Sequence, residues 1–282
     1  MNDVFVLGHG LSLLDLSEEE KDYIKSCPSF TTSIYLPYYE AIGIVPDYLV
    51  LPNPIDDYPA RIIINGGSIL ASATVCHKHN LKTQWYTHSQ IYDYIVEKKF
   101  TKPYWQMDND RTSKPVHPSI KHLDFDPKFK ITQIDCGETV GFHKAWATNL
   151  NERFLFSSSS ATAINLAGIL YPNHHIKLIG VDGGKCKCFY HQACLDGFIP
   201  SLFSGKLVKH GKERFSGSIH YSTAHLNILS ITENLKNHHG CKVSNCNPNS
   251  VFVKTDHEFE KSFKQYRNAK NNIKFQYSPI LN

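Results

Sequence analysis

Several groups of residues in this chain have types and spacings suited to chemistry. Asp182 ends the apolar run IKLIGVD and is followed by Gly183 and Gly184, so a short buried stretch delivers a carboxylate into a glycine turn. Ser157 to Ser160 precede the segment ATAINLAGILY. Hydroxyls and open backbone N–H groups at such a helix start suit an anion; the plain alternative is that one serine caps the helix. His220 stands between a long polar connection and a helical pattern, where an imidazole titrating near working pH can accept a proton. Sixteen histidines dilute the signal of any one of them. Cys186, Cys188, His191 and Cys194 are soft metal ligands crowded into nine residues. Their spacing fits no familiar zinc knuckle, and reduced thiols are the competing reading.

These residues need elements to position them. Asp3 to Gly10, DVFVLGHG, reads as a hydrophobic strand turning through Gly8 and Gly10, where the backbone can approach a ligand without Cβ obstruction. The third glycine of a dinucleotide fingerprint is missing, which argues against NAD. Ser17 followed by Glu18, Glu19 and Glu20 is a capping-box helix start. Phe30–Leu36 and Asp47–Leu51 read as strands, the second ending at Pro52-Asn53-Pro54, which either presents the Asn53 amide at the sheet's C-terminal edge or is a plain turn. Arg61–Asn65, Lys82–Thr87 and Lys130–Asp135 are further strand candidates, and ILASATVCHKH is helix-like. GFHKAWATNL reads as a helix or a crossover, while residues 92–128 show no clean periodicity. Ile176–Asp182 reads as a buried parallel strand, HLNILSITENL as an amphipathic helix, and CKVSNC as a last strand ending in Asn247-Pro248-Asn249-Ser250. The alternation predicts an α/β fold with a Rossmann-like, doubly wound, mostly parallel sheet.

The chain has 282 residues, 41% of them hydrophobic, enough for one domain over 1–282. Residues 184–218 form a long polar connection after a sheet strand, the usual setting of an active-site lid. Residues 251–282 carry Lys254, Lys261, Lys264, Arg267, Lys270 and Lys274 among aromatics, a basic tail that either rests on anionic lipid or is a solvated helix. A formal charge of +4 permits a phosphate-bearing ligand but does not point to nucleic acid. No apolar run approaches the roughly 20 residues that cross a bilayer, and no leader pattern opens the chain. The expectation is a cytoplasmic protein, with peripheral contact at the inner membrane through the tail. Eight cysteines in a chain of this length fit free thiols in a reducing compartment.

The order of these motifs resembles the bacterial lipooligosaccharide sialyltransferases of glycosyltransferase family 42. The family opens on a strand and GxGPSL, similar to Gly8-His9-Gly10-Leu11-Ser12-Leu13 with leucine replacing proline. Its Asn-Pro after the third strand resembles Asn53-Pro54, and its Thr-Ser-Gly before a buried helix resembles Ser158-Ser159-Ser160. Its Ser-Gly-Ile-Asp resembles Ile179-Gly180-Val181-Asp182, and its phosphate-binding tyrosine falls at Tyr190. Its His-Ser resembles His220-Tyr221, and its Cys-Pro-Asn-Ser resembles Asn247-Pro248-Asn249-Ser250. The likeness touches most of residues 1–250. It departs at Gly184 in place of a second tyrosine, at Ser33 in place of an asparagine, and at Phe156 in place of an arginine for which Arg153 is the nearest substitute.

What the resemblance implies is a GT-A-variant sheet with a lid, binding a nucleotide sugar, CMP-linked sialic acid or a related acidic sugar. The nucleotide would lie near Gly8, Gly10, Ser12, Ser33, Asn53, Ser158, Ser159, Asp182, Gly183, Asn249 and Ser250. His220 would act as general base toward a hydroxyl of a bacterial surface glycan, in an inverting transfer without metal. Tyr190 would stabilise the leaving phosphate, helped by Lys185, Lys187 or Lys206, and Asp182 would support the site. The family often assembles into homo-oligomers. Two other classes compete: a magnesium-dependent, pyrophosphokinase-like transferase in which Asp182 binds metal, and a non-catalytic nucleotide-binding protein.

Overall fold

A computed structural model describes residues 2–32, 35–52, 72–73, 75–76, 79–88, 130–138, 145–156, 158–181, 221–247, 250 and 258–259. The chain opens with strand β1 (Asp3–Leu7), a 3-10 turn (Leu11–Asp15), helix α1 (Glu18–Lys25) and strand β2 (Ser29–Thr32). Helix α2 (Tyr39–Ile42), β3 (Tyr48–Leu51), β4 (Gln84–His88) and β5 (Ile131–Ile134) follow. Then come β6 (Cys136–Glu138), β7 (Phe154–Phe156), α3 (Ser159–Leu170) and β8 (His175–Ile179). Helix α4 (Tyr221–His239), β9 (Lys242–Asn245) and β10 (Glu258–Phe259) follow, and residues 72–73, 75–76 and 79 between β3 and β4 are also helical.

Eight strands form one sheet in the order β10-β9-β8-β1-β2-β3-β4-β5, and its neighbouring pairs are parallel. β6 and β7 make a separate parallel pair. The protein is thus a parallel α/β sheet with helices on both faces, as the sequence leads one to expect, and the arrangement is consistent with a Rossmann-like fold. β1 shows why it is central: Val4 and Val6 are fully buried on one face, Phe5 and Leu7 on the other. The first pair packs with Phe30, Val50, Ile176 and Leu178 against α3 and α4; Leu49, Leu51 and Trp85 on the opposite face meet Leu36, Ala73 and Cys76.

Helix α3 is buried from Ala161 through Gly168. It is buried on all sides because the sheet covers one side and α4 another. Gly168 admits Leu235 of α4, whose Cδ1 would sit 2.9 Å from any added Cβ. Ser17 caps α1 as expected, with reciprocal bonds between Ser17 and Glu20 of 2.8 and 3.2 Å.

Several elements depart from the sequence reading. β2 stops at Thr32, and the apolar Leu36 belongs to a 3-10 turn, Leu36–Tyr38, where the fixed backbone of Pro37 at its start favours a turn over a strand. The described part of GFHKAWATNL is not helical. There Trp146 is buried and donates to the Ser230 hydroxyl at 3.0 Å, and the Ala147 carbonyl accepts from Asn165 at 2.8 Å, so the segment is pinned to α3 and α4 by side chains. Within 251–282, residues 258–259 extend the sheet as β10. The candidate strand Arg61–Asn65, the connection 184–218 and the rest of the tail lie outside the described residues. Among the described residues no helix is long and apolar enough to cross a membrane.

A polar knot joins β1, β8, β9 and α1. Lys177, 6% exposed, meets the Asp3 carboxylate at 2.9 Å; Tyr23 donates to that carboxylate, and His175 bonds the Ser244 hydroxyl. His175 Nδ1 lies 3.8 Å from Asp3 Oδ1. Serine, histidine and aspartate in this order mimic a hydrolytic triad, but Ser244 is 1% exposed and Asp3 is shared with Lys177 and Tyr23, so the group serves the fold. Replacing Asp3 with alanine strands a buried ammonium; urea unfolding of Asp3→Ala is expected to show a loss of about 3–5 kcal/mol, and under ~1 kcal/mol would mean that Lys177 is solvated.

Candidate functional site

The strand order places the candidate site. From β1 the chain moves outward through β2 to β5, then returns to β8 on the other side of β1. The order therefore reverses between β1 and β8, the switch point outside whose strand ends parallel α/β sheets hold their ligand crevice. α3 runs into β8 through the short link 171–174, so it lies antiparallel to the strands and its N-terminus sits at the crevice end.

The crevice floor is laced from strand to strand. The Thr31 hydroxyl donates to the Leu7 carbonyl at 3.0 Å, and His9 Nε2 bonds the Thr32 carbonyl at 2.8 Å. Gly8 N donates to Ile179 O at 2.6 Å, and Gly10 N to Gly180 O at 2.7 Å. Gly180 adopts φ +68°, the left-handed region that suits glycine. A Cβ on Gly8 would collide with the Gly180 carbonyl, its carbon lying 2.7 Å away. Gly8 thus serves backbone packing at the switch point. Gly10, at φ −68°, has no such conformational demand.

Of the residues that the resemblance puts near the nucleotide, Gly8, Gly10, Ser12, Ser158, Ser159 and Ser250 are described. Gly8 and Gly10 lie on the floor with their N–H groups already donated to β8. Ser12 is fully buried in the 3-10 turn behind them. Ser158 is the N-cap of α3, its hydroxyl accepting from Ala161 N at 3.1 Å; Ser159 is half-buried beside it. Ser250 is buried, and its hydroxyl bonds the Val181 carbonyl and the Asn245 amide, both at 3.1 Å. Ser33, Asn53, Asp182, Gly183, Tyr190, His220 and Asn249 lie outside the described residues, as do Lys185, Lys187, Lys206 and the group Cys186, Cys188, His191 and Cys194. Arg153 stands before β7, 3.7 Å from Asp135 and packed over Gly137, at the far end of that strand from Ser158.

His9 is the residue that the sequence reading passed over. Between two glycines it carries no motif of its own, yet the imidazole sits between the ends of β1 and β2. Thr32 offers a carbonyl, so Nε2 must carry the proton and donate, which leaves the lone pair on Nδ1. Desolvation pushes the His9 pKa down to about 4, so the ring is neutral at ordinary pH. Burial pushes the Cys76 and Cys136 thiols up to about 12, which makes them inert packing groups; the described cysteines are free. Among the described residues no group of His, Cys, Asp or Glu is arranged to hold a metal ion.

A comparison with protein-family models, curated protein sequences and solved structures finds no match to this chain.

Two outcomes follow from this geometry. Gly8→Ala is expected to lower the unfolding free energy by about 1–3 kcal/mol or more through overpacking against Gly180, read by chemical denaturation. The second concerns acid. An unfolded His9 takes up a proton below about pH 6.5 while the native ring resists until about 4, so its contribution is complete above 6.5 and is lost as pH falls toward 4. Between about pH 7.5 and 4.5 the wild type should lose on the order of 2 kcal/mol more than His9→Gln, which keeps an N–H donor for Thr32 without titrating. Equal losses would mean that the ring is solvated in the native state.

Proposed function

We propose that this protein is a nucleotide-dependent transferase, and specifically a glycosyltransferase that uses a CMP-linked acidic sugar, in a GT-A-variant setting with residues 184–218 as lid. The observation that supports it is the switch-point crevice between β1 and β8, with the glycine loop on one side and the serine start of α3 on the other. The donor class comes from the resemblance of the motif order to family 42. Because the Gly8 and Gly10 amides are spent on β8, the donor's charge in this reading meets the Ser158–Ser160 segment and the side chains of 182–220.

In the proposed reaction an acceptor hydroxyl of a surface glycan attacks the anomeric carbon as His220 takes its proton. The bond from that carbon to the phosphate oxygen breaks, and CMP leaves with the electron pair. Tyr190 donates to the phosphate oxygen as charge develops, with Lys185, Lys187 or Lys206 nearby in sequence. Asp182 and Gly183 shape the turn beneath the donor, while Asn53, Ser33 and Asn249 contact the nucleotide. No metal takes part in this scheme. Closure of the lid would exclude water, whose attack on the donor is the competing reaction.

The reading predicts that millimolar CMP raises the melting temperature without magnesium, since a ligand of the native state stabilises by mass action. His220→Ala should retain that shift and lose transfer activity by about 10²–10⁴-fold. A magnesium-dependent response to ATP alone would replace the proposal with a pyrophosphokinase-like enzyme. No response to CMP, UDP, GDP or ATP would replace it with a non-catalytic role.

A further inference from the structure

The exit of β8 is held from the side opposite the glycine loop. The Val181 carbonyl accepts from Asn245 Nδ2 at 2.9 Å and from the Ser250 hydroxyl at 3.1 Å. Asn245 Nδ2 donates to Ser250 Oγ as well, at 3.1 Å, and Asn245 Oδ1 accepts from Asn247 N at 2.9 Å. Ser250 N donates to Asn247 O at 3.1 Å, which closes the loop after β9. Donors meet acceptors in these contacts: the amide nitrogen donates to two oxygens, and the hydroxyl both donates and accepts. The Asn247 N–H fixes which way the Asn245 carboxamide faces. Asn245, Asn247, Ser250 and Val181 are all buried.

This arrangement forms a relay across three strand ends. Asn245 and Ser250 hold Val181; Val181 follows Gly180, whose left-handed backbone and carbonyl receive Gly10 N; Ile179 receives Gly8 N. The residue after Val181 is Asp182, where the candidate site begins.

We propose that Asn245 and Ser250 are positioning residues of the crevice, which act through the Val181 carbonyl to fix both the β8 exit and the Gly8–Gly10 loop. Ser250 in this account orients the ligand's cradle and does not itself touch the ligand. The ligand half of the inference rests on the proposed nucleotide site; the backbone half does not.

The experiment compares Ser250→Ala, Asn245→Ala and the conservative Ser250→Thr with a control, Leu235→Ala in α4, at matched global stability. Native-state hydrogen exchange is followed at the Gly8 and Gly10 amides, and CMP affinity is measured by titration. Ser250→Ala and Asn245→Ala should speed exchange at both glycines about tenfold beyond the control and weaken CMP about five- to tenfold, with Ser250→Thr restoring both. Exchange equal to the control's would overturn the inference and leave the network as ordinary stabilisation. Faster exchange with unchanged CMP affinity would overturn the positioning role as well. If the wild type binds no CMP, the proposed function fails, and the exchange comparison alone decides the backbone relay.

Discussion

The backbone contact between Gly8 and Gly180 is the constraint from which the rest follows. The backbones that follow the parallel strands β1 and β8 lie within touching distance, and only a residue without Cβ fits on the β1 side. The turn on the β8 side needs a left-handed φ, met by the second glycine. With both in place, β1 donates two amides to the β8 exit and the floor closes. A side chain at Gly8 would push the strand ends apart where the sheet topology opens its crevice.

Polar side chains finish what the glycines begin. His9 and Thr31 tie β1 to β2 on one flank, and Asn245 and Ser250 tie β8 to β9 on the other. The opposite end of the sheet is closed by the Asp3, Lys177, Tyr23, His175 and Ser244 group. The middle is apolar. This division ties the strand ends together without a large hydrophobic contribution there.

Much of the sheet was legible in the sequence because parallel central strands are apolar on both faces. Val4 to Leu7 and Ile176 to Ile179 announce themselves by composition, and Ser17 with Glu20 by capping chemistry. What was not legible came from tertiary context. Nothing in the apolar runs around Asp3 and Lys177 signals that the two form a buried pair across neighbouring strands. Three-residue β6 contains a glycine, and two-residue β10 lies in a lysine-rich tail, so neither carries a strand pattern. Of the residues proposed for the site, Gly8 and Gly10 follow β1 and Ser158 caps α3, at the C-terminal ends of the central strands. The structural duties of Gly8 and Ser250 could not be read from residue type, since a glycine or serine near a strand end looks the same whether it faces a ligand or a neighbouring loop.

The central claim is that the crevice between β1 and β8 takes a nucleotide. Its most direct test is a titration of isotopically labelled protein with CMP, followed by NMR at the amides of Gly8, Gly10 and Gly180. The account predicts saturable shifts at these glycines with a common affinity, because they form the floor under the ligand. Shifts confined to resonances elsewhere, or none at all, would contradict it.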